Sequence, residues 1–166
     1  KVNNLGLEFL ATKCKKLNSH LIHISTDYVF DGLRETPYSE DILPNPLNVY
    51  GQTKYDGELK IQESGCKFTI LRSSWVFSEY GNNFLKTMVE KVTNKDKIKL
   101  VDDQLGSPTF GHDVARARLT AAFSVHKDRT LSGTYHFCGD FSCSWLGFAE
   151  QIFIRMRHLG RDTPEM

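Results

Sequence analysis

The sequence has no long apolar run. Nothing in it approaches the roughly 20 consecutive apolar residues of a membrane-spanning helix, so no segment reads as a span and no membrane partner is expected. It has almost no net charge, +1 at pH 7, and so lacks the electrostatic footprint of a nucleic-acid or anionic-surface binder. Cysteine is sparse: Cys14, Cys66, Cys138 and Cys143 are scattered without a C-x-x-C pair. That argues against a zinc site or a dithiol motif and fits isolated thiols in a reducing cytoplasm. The histidines form no H-x-x-x-H, and His23 and His136 fall in strand-like runs, where they read as sheet residues. No metal site is expected. The glycines form neither G-x-G-x-x-G nor G-x-x-G-x-x-G.

What is present is ordinary for a globular chain: 40% hydrophobic and 25% charged residues over 166 positions, enough for one domain or two small lobes. Helical periodicity covers about 2–18, 48–64, 83–94, 113–126 and 144–160. Short strand-like runs cover 21–25, 68–73, 97–101 and 134–138, with a further extended piece at 108–110. Gly65 ends the second helix, Asp113 is placed as the cap of the fourth, and Ser142 or Ser144 caps the last. Between the first strand and the second helix lies a long loop, 27–45, rich in turn formers and containing Glu35, Glu40 and Asp41. A loop of that length in a compact domain is usually functional. Strands alternating with helices predict an α/β fold with a parallel sheet.

Chemistry concentrates at Tyr50 and Lys54. Four positions apart, they share one face of the second helix. A phenol ionises near pH 10, and a neighbouring ammonium favours the phenolate. Such a tyrosine can exchange a proton with an alcohol or carbonyl oxygen. Lowering a phenol by about three units takes about 4 kcal/mol, whereas one ammonium at surface-like dielectric supplies a few kcal/mol at best. Lys54 therefore needs help from a second positive group or from the helix N-terminus. Upstream, the apolar run Leu21-Ile-His-Ile24 ends in Ser25-Thr26-Asp27. Ligands of open α/β sheets bind at such carboxyl ends, which puts Thr26 where a substrate oxygen would be met.

This constellation resembles the extended short-chain dehydrogenase/reductase superfamily, and within it the dTDP-4-dehydrorhamnose reductases. The resemblance is carried by Ile24-Ser-Thr-Asp-Tyr-Val-Phe-Asp-Gly32, Pro46-Leu-Asn-Val-Tyr-Gly-Gln-Thr-Lys54, Leu71-Arg-Ser-Ser-Trp-Val76, Gly81-Asn-Asn-Phe84, Asp103-Gln-Leu-Gly-Ser-Pro-Thr109 and Gly133-Thr-Tyr-His136, in the family's order along nearly the whole chain. It implies the C-terminal portion of a Rossmann-like doubly wound parallel sheet with a small substrate-binding lobe. The expected division is 1–77 and 113–139 for the Rossmann-like part, and 78–112 and 140–166 for the lobe.

The resemblance also implies roles. Tyr50 corresponds to the acid that protonates the carbonyl oxygen of a 4-keto sugar while hydride arrives from NADPH or NADH. Lys54 corresponds to the lysine that tunes it and bonds the nicotinamide ribose, and Thr26 to the hydroxyl that orients the substrate oxygen. Ile24, Ser25 and Ser73 are expected near the cofactor. Asp27, Trp75, Asn83 and Gln104 are expected around the nucleotide sugar, Trp75 by offering a flat apolar face. Arg72, inside a strand, reads as an ion-pair partner. A homodimer is implied by the family alone.

Two positions depart from related patterns. Sugar dehydratases of the superfamily carry Thr-Asp-Glu at the strand end, whereas Tyr28 follows Asp27 here, so elimination lacks its base. His112 stands where some relatives carry an acidic residue linked to a divalent ion. The missing Gly-rich turn implies that the first three or so βα units, with the residues that choose between NADH and NADPH, are not in this sequence. A fragment or half of a split protein is expected, inactive alone. Two other resemblances remain open: the regulatory subunit of methionine adenosyltransferase, which is a binding partner, and a UDP-sugar epimerase.

Overall fold

The computed structural model describes residues 2–94 and 97–164. In chain order its elements are α1 (Leu7–Lys16), β1 (His20–Thr26), α2 (Val49–Glu63), β2 (Lys67–Ser73), β3 (Val76–Phe77), α3 (Phe84–Thr93), β4 (Leu105–Gly106), β5 (Thr109–Phe110), α4 (Gly111–Lys127), β6 (Gly133–His136), β7 (Cys143–Ser144) and α5 (Trp145–His158). They divide into two units, Lys1–Ser73 with Val114–Phe137 and Ser74–Asp113 with Cys138–Met166.

In the first unit β2 lies between β1 and β6, all parallel. The register sets Ser25 beside Arg72, Thr26 beside Ser73, and Arg72 beside His136. Side chains alternate along a strand, so Leu21, His23 and Ser25 share a face with Phe68, Ile70 and Arg72. Leu7 and Ala11 of α1 and Ile61 of α2 pack on that face with Ile70 and Cys66. The loop after β1 is tied to the sheet where His136 N–H of β6 donates to Glu40 (2.9 Å), and to itself where Asn45 N–H donates to the Val29 carbonyl (2.9 Å) and Phe30 stacks on Tyr38 with centroids 4.4 Å apart.

The second unit is organised by α3 and α5, whose Met88, Val92, Phe148, Ala149, Ile152, Phe153 and Met156 form its core. Its strands are two-residue pairs, β3 with β5 parallel and β4 with β7 antiparallel.

Three expectations need correction. The run 97–101 is not a strand. Ile98 and Leu100 pack on the second core, so apolar burial, without a ladder, explains the strand-like pattern. Asp113 does not occupy the N-cap position, because α4 begins at Gly111 and Asp113 sits in its first turn. The first helix is shorter than 2–18. A π-helical turn, Val2–Gly6, runs into α1, and Asn18 in a left-handed conformation (φ 49°) turns the chain into β1. The predicted stop at Gly65 is observed with φ 67°, and Ser144 does cap α5.

Candidate active site

The first turn of α2 is built against the loop that follows β1. Asn48 caps the helix, its Oδ1 accepting from Gly51 N–H at 2.8 Å. Gly51 carries no side chain at a point where a Cβ would stand 2.0 Å from the Tyr28 carbonyl oxygen. That close approach brings Tyr50 edge-on to Tyr28, with centroids 5.8 Å apart and planes at 76°. Tyr50 is 52% exposed.

One turn further on, Lys54 is buried. Its Nζ donates to the Ile24 carbonyl at 2.7 Å and to His23 Nε2 at 3.2 Å. Burial holds the Lys54 ammonium below its ordinary pKa, against the Glu58 carboxylate, which raises it. Burial, and then the Lys54 charge, push His23 down to about 4. Another turn on, Glu58 is wholly buried and pairs with Arg72 through Nε (3.1 Å to Oε1) and Nη2 (2.7 Å to Oε2). Arg72 also lies over the Phe30 ring (5.1 Å) and donates to His136 Nε2 (3.4 Å). The reading of Arg72 as an ion-pair partner matches this geometry.

At the end of β1 the Thr26 hydroxyl donates to Asp27 Oδ1 (3.1 Å) and accepts from Tyr28 N–H (3.3 Å). Burial raises the Asp27 carboxyl, opposed by the Thr26 bond. Burial, and then the Asp27 charge, raise the Tyr28 phenol above its ordinary value. Ser25 Oγ and Ser73 Oγ, at the ends of neighbouring strands, are buried without a hydrogen-bond partner. Such groups are rare in native proteins and call for an explanation.

Trp75, Asn83 and Gln104 lie in the second unit. Trp75 adopts φ 45°, an outlier for a bulky residue. One of its faces stacks on Trp145, with centroids 3.6 Å apart and planes at 9°. A Cβ on Gly106 would lie 2.3 Å from Trp75 Cε2 but 2.6 and 2.7 Å from the flanking Cζ2 and Nε1. An in-plane approach would bring the flanking atoms closer than Cε2, so Gly106 sits over a face. The gap to Trp145 leaves no room there, so it is the opposite face. Trp75 as a whole is half-buried, between Trp145 and Gly106.

Asn83 caps α3. Its Oδ1 accepts from Lys86 N–H (3.2 Å) and its Nδ2 donates to the Ser78 carbonyl (2.7 Å). Gln104 accepts from Trp145 Nε1 (3.3 Å). Sequence reasoning missed Gly51, His23, Glu58 and Trp145 as shaping residues. Only Glu58 carried a signal, as the third member of the Tyr50, Lys54, Glu58 helical stripe. Among the described residues no group of side chains could hold a metal ion, and no helix is long and apolar enough to cross a membrane.

The family model described as the RmlD substrate binding domain matches residues 1–163. A dTDP-4-dehydrorhamnose reductase of Aggregatibacter actinomycetemcomitans is 42% identical over 153 residues, 92% of this chain and 52% of that protein. One from Sinorhizobium fredii is 40% identical over 154 residues, again 92% and 52%. The crystal structure of dTDP-4-dehydrorhamnose reductase from Bacillus anthracis in complex with NADP is 38% identical, with a TM-score of 0.85, over 99% of this chain and 56% of that one. The chain thus spans about half the length of the curated relatives it matches. With a family-model match along nearly its whole length, the chain belongs to the RmlD substrate-binding-domain family.

Proposed function

We propose that this chain is the catalytic portion of an enzyme that reduces the 4-keto group of dTDP-4-dehydro-L-rhamnose to the alcohol of dTDP-L-rhamnose, using NADPH or NADH. The observation that carries the reading is the corner where Lys54, anchored to Ile24, lies one turn behind the half-exposed phenol of Tyr50. Tyr50 gives its proton to the carbonyl oxygen as that oxygen gains negative charge. The Lys54 ammonium stabilises the phenolate left behind. Thr26 meets the same oxygen, for which its hydroxyl turns away from Asp27, a hydrogen bond of about 1 kcal/mol.

The reduced nicotinamide, when bound, supplies the hydride that becomes the new C–H bond. The residues present fit one end of it. Lys54 has a third N–H beyond its two bonds, and the partnerless hydroxyls of Ser25 and Ser73 lie at adjacent strand ends. The pyrophosphate end has no Gly-rich turn in this sequence.

Relatives bearing the reductase name at 40–42% identity favour this reading over the regulatory subunit and the epimerase. All four cysteines are free thiols, and we assign the cytoplasm. A homodimer belongs to the same proposal on family resemblance, and light scattering tests it. The activity is tested with the chain joined to the amino-terminal half of a relative reductase, given the keto sugar and NADPH, by following loss of the nicotinamide absorbance. Tyr50→Phe abolishes turnover and leaves sugar binding largely intact. Parent-rate reduction by Tyr50→Phe would refute the role.

A further inference from the structure

We infer that His23 is a positioning residue for Lys54: its ring, as the Nδ1–H tautomer, accepts from the Lys54 ammonium and thereby fixes where the remaining N–H points. Its catalytic meaning rests on the function proposed above, whereas the contact itself does not.

An ammonium has three donors and no acceptor. The Ile24 carbonyl takes one at 2.7 Å and His23 Nε2 a second at 3.2 Å. The two acceptors sit on consecutive residues of β1, one a main-chain oxygen and the other a side-chain nitrogen. Both are held by the sheet, where His23 pairs in register with Ile70 and Ile24 with Leu71. Two directions fixed by rigid acceptors determine the third for a tetrahedral group. Lysine by itself would not be so held, since its four-carbon stem carries about 2 kcal/mol of rotamer entropy.

The chemistry fixes the protonation of the ring. A doubly protonated His23 has no lone pair to offer and would put a second cation 3.2 Å from the first. The nitrogen facing Lys54 is therefore bare, and the proton is on the other. Burial and the Lys54 charge act in the same direction on this ring. One turn further along α2, the Glu58 carboxylate acts on Lys54 in the opposite sense while itself bound to Arg72.

The test is nitrogen-detected NMR on the chain joined to the amino-terminal half of a relative reductase, labelled at histidine and lysine, with the His23 and Lys54 signals assigned by substitution. His23 shows a bare Nε2 and a protonated Nδ1 from about pH 5 upward. His23→Leu lowers the Lys54 pKa by about one unit, the worth of one hydrogen bond to a charged group. His23→Gln, which keeps an acceptor, restores most of it. A protonated Nε2 in the parent, or an unchanged Lys54 pKa in His23→Leu, overturns the inference. If His23→Leu does not fold, the parent tautomer alone decides. In the reductase assay His23→Leu lowers kcat about tenfold with KM for the sugar unchanged, and His23→Gln recovers it. Equal kcat in His23→Leu and parent overturns the positioning role. Failure of the functional reading would instead show as parent-rate turnover by Tyr50→Phe, with the NMR result on His23 standing apart.

Discussion

The ring of Tyr50 stands edge-on to that of Tyr28, 5.8 Å between centroids, because Gly51 lets the first turn of α2 settle on the Tyr28 carbonyl. The proposed proton donor is thus located by the residue next to it in sequence and by the main chain of a loop more than twenty positions upstream.

Gly51→Ala is the direct check. In an unconstrained helix interior the change would stabilise by about 1 kcal/mol. Here the added methyl lies 2.0 Å from a carbonyl oxygen, and the expected result is a loss of about 1–3 kcal/mol. The sign of the shift in urea midpoint separates the two cases.

The buried Glu58–Arg72 pair is expected to be costly to break and cheap to replace. Glu58→Gln or Arg72→Met alone leaves one buried charge and should cost about 3–5 kcal/mol, whereas Glu58→Leu with Arg72→Met should cost far less. Equilibrium urea unfolding of the singles and the double measures it. Equal losses for all three variants would mean that the pair is not acting as a unit.

His23 makes stability depend on pH. Its pKa is about 4 in the folded chain, against an ordinary 6.5. Between those values the unfolded chain holds a proton that the folded chain refuses, so stability falls as pH drops through the window. The loss is at most roughly 3 kcal/mol, complete below the lower value. The difference in unfolding free energy between about pH 7 and about pH 4.5 should shrink in His23→Gln. The same slope in both proteins would show that another group is responsible.

The indoles of Trp75 and Trp145 should couple energetically. A double-mutant cycle with Trp75→Phe and Trp145→Ala is expected to return about 0.5–1.5 kcal/mol. Strict additivity would mean that the stack contributes nothing.

The 166-residue chain should not bind NADPH tightly by itself, because it has no Gly-rich turn to meet a pyrophosphate. Calorimetric titration tests this, and a low-micromolar affinity would contradict it.

What could be read without coordinates was local and periodic. The β1 run, the helix bearing Tyr50 and Lys54, its stop at Gly65 and the capping of α5 all follow from apolar spacing, a left-handed glycine and a serine hydroxyl, each decided within a few residues. The six segments that carry the family resemblance are of the same kind. The 97–101 run misled because burial against a helix and pairing in a sheet leave the same short apolar pattern. Only tertiary structure could reveal that His23 and Ile24 hold Lys54, that Glu58 pairs with Arg72, and that Trp75 stacks on Trp145 beside Gly106. Those contacts join residues from separate elements, and their energies depend on burial and distance, which no spacing along the chain encodes.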